Sequence, residues 1–291
     1  MYSFYCERFY REICISVVVI GSVLLLLLAV VSAEEFPPSV VVQKTTSPLV
    51  IDGKMDEEAW QRAPELNFFR LTDGSNPPWR CYGKIIWDDR YLYYGIYSGD
   101  PDVWAKLEPK SPDPELYHGH ADEFNMYSNP FAKIFFDPDG DGSDYVEVHI
   151  NAMNQVDDVH VVESWFVVSN HINPDNWRCA WEIKGLKTAV FVDGTLNNSR
   201  DIDNGWSVEA AFPWSSIKKI SKGNCPPEPG DSWRAHCGWV YLNTWHGSHM
   251  YYTWPVMGVQ DCHILPKWGY ITFAKEFPVI PWKWYPGMPR K

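Results

Sequence analysis

The chain has 291 residues, with 25 Lys and Arg against 37 Asp and Glu, a formal charge of −12 that speaks against a life on phosphate backbones. Hydrophobic residues make up 45% and charged residues 21%, a balance that argues for a packed core and against disorder. Sixteen Trp and 23 Pro point to many short elements joined by turns, since Pro interrupts helices and central strands.

The first element is apolar. Ile15 to Val31 form one hydrophobic run behind Arg8 and Arg11, and Val31-Ser32-Ala33 ends it with small residues, as a signal-peptidase site would. Residues 1–33 therefore read as a secretory leader. A second reading keeps the run as an uncleaved signal-anchor, because it is near the ~18 residues that span a bilayer. In that case alone the protein meets a membrane. Elsewhere no stretch is apolar for as long, so the mature chain reads as soluble and facing the secretory lumen or the exterior.

Beyond the lead-in, period-two patterns dominate. Tyr91 to Tyr97 reads as a strand after the turn Trp87-Asp88-Asp89-Arg90. Asp122 to Tyr127 reads as the start of another, which Lys133 to Asp137 begins again after Ser128 to Ala132 intervene. Tyr145 to Ile150 sets Val146, Val148 and Ile150 against Tyr145, Glu147 and His149, and His149 on that polar face reads either as a donor to a ligand or as simply solvated. Lys187 to Val192, Trp206 to Phe212, Trp233 to Tyr241 and Trp268 to Phe273 complete the strands. Helical patterns are confined to Asp56–Arg62 and Trp214–Ile220. The expected fold is all-β, an antiparallel β-sandwich over residues 40–274 with one or two short helices, followed by a Pro- and Trp-rich tail at 275–291. Trp60, Trp87, Trp206, Trp233 and Trp239 fall on apolar faces and are expected in the core.

Seven cysteines fall to five when the leader is removed: Cys81, Cys179, Cys225, Cys237 and Cys262. An oxidising compartment then implies up to two disulfides and a leftover thiol. Cys237, alternating with core aromatics, reads as a buried thiol or a buried bridge. Asn197-Asn198-Ser199 is a glycosylation sequon.

Enzyme signatures are scarce. The sequence has no Gly-x-Ser-x-Gly, no His-Glu-x-x-His and no phosphate-binding glycine loop. A pair of carboxylates for glycoside hydrolysis stays open, since many acids are present and none stands out. Asp137, Asp139, Asp141 and Asp144, spaced by Pro and Gly, form the candidate metal set, with oxygens suited to Ca²⁺ in a structural role. The same residues also suit a plain hairpin turn. His118-Gly119-His120 with Asp122 is a weaker metal candidate. The aromatics carry the stronger signal, because sugar rings pack their C–H faces on Trp and Tyr while their hydroxyls need polar partners. Trp104, Tyr117 and Trp254 lie in or beside loops with polar neighbours.

These segments resemble the family 9 carbohydrate-binding modules. Ile51 to Trp60 is similar to the first family motif, and Ile86 to Tyr93 to the second. Phe136 to Asp141, followed by Tyr145, Glu147, Asn151 and Ala152, resembles the third. Lys187 to Thr195, Gly205 to Trp214, Gly230 to Arg234 and Trp268 to Tyr270 continue in order, so the resemblance covers about Val50 to Phe273.

The resemblance implies a DOMON-like sandwich, structural calcium and a sugar end held between two Trp rings. Where the family carries those rings, this chain reads Leu116 to Asp122 and Gly258 to His263, without Trp. Those two regions and the strand positions His149 and Asn151, taken with the loop aromatics Trp104 and Trp254, give the expected sugar-contacting set Trp104, Tyr117, His118, Asp122, His149, Asn151, Trp254 and His263. Cys262 falls in the second of these loops, and pairing of Cys225 with Cys262 is expected to staple it. The function implied is secreted, non-catalytic recognition of an oligo- or polysaccharide end. The alternatives are a glycoside hydrolase and a DOMON-like haem or protein-interaction module.

Overall fold

A computed structural model describes residues 37–107, 126–163, 178–180, 182–243 and 248–275. The expected leader, the tail from 276 onward, and Tyr117, His118, His120 and Asp122 lie outside the described residues. No helix among the described residues is long and apolar enough to cross a membrane.

In chain order the strands are β1 (Ser39–Lys44), β2 (Leu66–Asn67), β3 (Phe69–Arg70), β4 (Cys81–Trp87), β5 (Tyr91–Ser98), β6 (Phe131–Asp137) and β7 (Ser143–Asn151). They continue as β8 (Val156–Glu163), β9 (Arg178–Ala180), β10 (Lys187–Asp193), β11 (Gly205–Pro213), β12 (Ser232–Asn243), β13 (Ser248–Trp254) and β14 (Gly269–Ala274). Two short helices, α1 (Glu58–Arg62) and α2 (Trp214–Ile217), interrupt them. The expected strands and both helices are present, with the helices cut shorter. Past Ile217 the chain continues only as single turns, where Ser221 N–H bonds back to Ile217 O and Lys222-Gly223 follows.

Hydrogen bonds join most strands in one path, β10-β11-β5-β4-β1-β14-β12-β6-β7-β8-β9. Every neighbour pair on it is antiparallel except at β1, which runs parallel to both β4 and β14. β1 is thus the seam at which the path folds into two facing layers. The apolar faces meet in one cluster that takes Trp87, Tyr94, Ile96, Trp206 and Phe212 from the first layer and Ile134, Phe136, Val148, Trp233, Trp239 and Phe273 from the second. Phe136 spans the gap, stacked on Tyr94 at 6.0 Å and edge-on to Phe212 at 5.1 Å. Each such pair adds about 1 kcal/mol beyond the area it buries. The five tryptophans expected in the core are all there.

The second layer is covered on its back as well. Phe135, Tyr145, Val159 and Val161 point away from the main core and pack under Leu71, Met257, Cys262, Leu265 and Trp268, most of them from the loop between β13 and β14. Both faces of β6 and most of β7 are therefore buried.

Three expectations are corrected. Met126–Ser128 is a 3₁₀ turn and not strand, closed by Asn129 N–H on Met126 O at 2.9 Å, and β6 begins at Phe131 after Pro130, while residues 122–125 lie outside the described residues. His149 is fully buried and not solvated, because β8 and the covering loop close that side. The Cys225–Cys262 bridge does not form: Cys81, Cys225, Cys237 and Cys262 are free and buried. Cys225 belongs to the inter-layer core and Cys262 to the cluster on the far face of the second layer.

Candidate functional site

The buried back of the second layer carries an unusual set of charges. Alternation along β6 turns Ile134 and Phe136 into the main core and sends Lys133 and Phe135 to the other side. On β7 the same rule sends Tyr145, Glu147, His149 and Asn151 there. Strand register then lines these residues up. Lys133 pairs with His149, and His149 with Asp157 of β8, giving one polar row across three strands. The next row runs His236 of β12, Phe135, Glu147, Val159.

His149 is held between two carboxylates, with Nε2 at 3.1 Å from Glu147 Oε1 and Nδ1 at 3.2 Å from Asp157 Oδ2. Lys133 Nζ lies 3.9 Å from Glu147 Oε1, and both side chains are almost completely buried. It also lies 4.7 Å from the Phe135 ring centre and 5.4 Å from that of Tyr251. Burial works against the Lys133 charge, yet the acidic groups around it, Cys262, Tyr127, Glu147 and Tyr251, outweigh that and push its pKa up. Burial pushes the Tyr251 hydroxyl up to about 12. His236 has neither ring nitrogen hydrogen-bonded. Burial, with the Lys133 ammonium and His263 nearby, holds it well below the ordinary histidine range, so it is neutral at physiological pH.

Aromatic rings frame the row. Phe131 lies 4.7 Å from the His149 ring and Tyr127 5.9 Å, with Tyr127 more than a third exposed. His263 accepts or donates at Nδ1 to the Tyr145 hydroxyl at 2.6 Å and sits edge-on to Phe135. Donors, acceptors and ring faces at one place are what a polyhydroxylated ring requires.

The sequence-named residues divide between this site and other tasks. His149 and His263 meet on the same face. Asn151 sits at its end, but its Oδ1 accepts the N–H groups of Met153 and Gln155 and so closes the β7–β8 turn. Its Nδ2 reaches Lys106 O at 3.4 Å, which ties the half-buried Trp104 segment to that end. Trp254 instead packs at the edge of the inter-layer core, its ring so close over Gly269 that a Cβ there would come within 2.3 Å. Lys133, Glu147, Asp157, His236 and Tyr251 complete the site. On β7 the signal in the sequence is Glu147 and His149 alternating with Val146, Val148 and Ile150, and strand register brings Lys133, Asp157 and His236 to them.

A second cluster lies at the β6–β7 turn. One oxygen each of Asp137, Asp139 and Asp141 lie within 4.8 Å of one another. Burial raises the Asp137 carboxyl to about 6, against the N–H groups of Gly142 and Gly140 that favour its charge. Asp141 falls to about 2, because hydrogen bonds from Lys222 and Ser143 overcome its desolvation. The donors are all oxygen and Asp139 Oδ1 is buried without a hydrogen-bond partner, so the set fits a hard cation such as Ca²⁺. Asp144 stands slightly apart, 3.0 Å from His160 Nε2. Asn197, the sequon residue, is exposed and holds the Ala105 backbone through both its amide oxygen and nitrogen, each at 2.9 Å.

No protein-family profile and no curated protein matches the sequence. The fold does have known counterparts. A family 9 carbohydrate-binding module from Caldicellulosiruptor kristjanssonii, solved with cellotriose, superposes with a TM-score of 0.50 at 16% identity, over 86% of this chain and 100% of that one. Its form solved with glucose gives 0.51 at 17% identity, over 84% and 99%. The chain therefore shares the fold of these modules.

Proposed function

We propose that this protein is a secreted, non-catalytic carbohydrate-binding protein that recognises the end of an oligo- or polysaccharide. The observation that carries the reading is the row Lys133–His149–Asp157, flanked by Glu147 and the rings of Tyr127, Phe131 and Tyr251, on a fold shared with modules solved holding glucose and cellotriose. Tyr127 and Tyr251, the members that reach the surface, cover the C–H face, and the carboxylates and ammonium buried behind them accept from and donate to hydroxyls that enter between the rings. The leader at 1–33 and the Asn197 sequon support passage through the secretory pathway, and the acidic charge supports a partner other than nucleic acid. A hard cation at Asp137, Asp139 and Asp141 would have a structural role, bracing the turn that joins the two strands bearing most of the site.

Isothermal titration of the full mature chain against glucose, cellobiose, xylobiose and a glycan panel tests the proposal. One or more sugars bind, and His149→Ala weakens that binding at least tenfold while circular dichroism stays unchanged. No heat with any sugar overturns the reading, and unaltered affinity in the variant moves the site elsewhere.

A further inference from the structure

The acidic turn is not left to a metal alone. Lys222 reaches it from the segment after α2, 81 residues along the chain. Its backbone N–H donates to Asp139 Oδ2 at 2.8 Å. Its ammonium donates to Asp141 Oδ2 at 2.7 Å and lies 3.4 Å from Asp144 Oδ2. One residue thus engages three of the four acids.

The remaining oxygens are mostly used. Asp137 accepts the Gly140 N–H at 2.8 Å and the Gly142 N–H at 3.0 Å. Asp141 Oδ1 accepts the Ser143 N–H and hydroxyl. The other oxygen of Asp144 faces His160. Asp139 Oδ1 alone is buried without a hydrogen-bond partner. A divalent ion coordinated there must also recruit oxygens from Asp137 and Asp141, and the ammonium stands against the Asp141 carboxylate that the ion needs.

We propose that Lys222 is a built-in competitor for the cation, an internal positive charge that orders the turn without metal and must withdraw when a divalent ion enters. This rests on the reading that Asp137, Asp139 and Asp141 take a hard cation. Withdrawal is easy, because the Lys222 side chain is 60% exposed and its contacts are of the solvent-screened kind that contribute little. The competition therefore sets affinity by a modest factor, and the site belongs to the class that fills only where Ca²⁺ is abundant.

The test uses the full mature chain with Ca²⁺ itself as probe. Calcium affinity is measured calorimetrically for the wild type, Lys222→Met and Lys222→Arg, and melting temperature is recorded with and without chelator. Lys222→Met binds Ca²⁺ roughly 3- to 10-fold more tightly, as loss of one exposed competing charge implies. It also melts lower than the wild type in chelator and gains more on adding Ca²⁺. Lys222→Arg, which keeps the charge, stays close to the wild type. Equal affinity and equal calcium response in wild type and Lys222→Met overturn the competition and leave the metal reading standing. No calcium binding by any of the three overturns both.

Discussion

Glu209 accepts the indole N–H of Trp60 at 2.6 Å across 149 residues of chain. Its other carboxylate oxygen accepts the N–H groups of Asp52 and Gly53, at 2.9 and 2.7 Å. One buried carboxylate on β11 therefore ties down the loop before α1 and the helix itself. The neighbouring Ser207 hydroxyl donates to Gly53 O at 2.5 Å, and Gly53 stands at φ +89° with Val190 and Phe191 backbone against it, where a Cβ would clash. The segments Ile51 to Trp60 and Gly205 to Glu209, two of the resemblance's motifs, turn out to be the two halves of one bracket.

Removing that carboxylate is costly. Glu209→Ala leaves two backbone donors and one indole donor buried without an acceptor, at ~1–3 kcal/mol each before relaxation. The expected loss is roughly 3–5 kcal/mol in urea unfolding. Glu209→Gln keeps an acceptor oxygen and loses about half as much. A loss under 1 kcal/mol for the alanine variant would show that the bracket does not stabilise the fold.

Asp100 gives the fold a pH dependence of defined sign. It is 2% exposed, its Oδ2 has no hydrogen-bond partner, and burial raises it from 3.8 to about 7 despite the Asp102 N–H it accepts. A raised carboxyl binds its proton more tightly folded than unfolded. Stability is therefore highest below pH 3.8 from this group, falls as pH climbs toward about 7, and is level above it. Asp100→Asn removes the charge and keeps the acceptor for Asp102. Near pH 4 the variant matches the wild type within about 1 kcal/mol, and at pH 8 it is more stable by roughly 1–3 kcal/mol, after allowance for its own buried N–H₂. Denaturant midpoints at the two pH values check this, and a variant advantage independent of pH contradicts it.

The four described thiols are chemically quiet. Burial pushes Cys81 up to about 12 and Cys225 to about 11, and also raises Cys237 and Cys262. The nucleophile is the thiolate, so these groups lack both access and charge. Native iodoacetamide treatment followed by peptide mass spectrometry should leave all four unlabelled, and urea should expose them together. Labelling of Cys262 in the native protein would mean that the loop over the polar row opens.

The core and the acidic turn were legible in the sequence because each depends on local pattern. Apolar-face patterning placed Trp60 on its helix and Trp87, Trp206, Trp233 and Trp239 on or beside their strands correctly, and the Asp and Gly spacing from Asp137 to Asp144 marked its own turn. Alternation says only that two faces differ; it does not say which is wet. The solvated reading of His149 fails for that reason, since the cover over its face comes from β8 and from a loop more than a hundred residues away. Lys222, Asp157 and His236 escaped notice because register and loop packing, not spacing along the chain, bring them to their partners. The pairing of Cys225 with Cys262 failed likewise, as the two sit on opposite sides of the second layer.

Lys133 is the most demanding residue of the candidate site. It is 3% exposed and shares its surroundings with Glu147, which is 0% exposed. Lys133→Ala leaves the Glu147 carboxylate buried without its ammonium, so the expected loss is roughly 3–5 kcal/mol. The double change Lys133→Met with Glu147→Gln removes both charges and recovers part of that loss, as replacement of buried pairs commonly does. The pH dependence has the same sense as that of Asp100 but sets in at far higher pH. A lysine raised in the folded state stabilises fully below its unfolded value of about 10.4, and the contribution is lost as pH climbs from there through the higher folded value. The pair thus remains intact across neutral pH, where sugar titrations are run. A double-mutant cycle in urea, repeated for sugar affinity, separates the two roles. A coupling of at least 1 kcal/mol in stability is expected for buried charges in contact. The double variant should fold and fail to bind sugar, because the donor and the acceptor that hydroxyls require are both gone. Sugar affinity equal to the wild type in a folded double variant would remove Lys133 and Glu147 from the binding site.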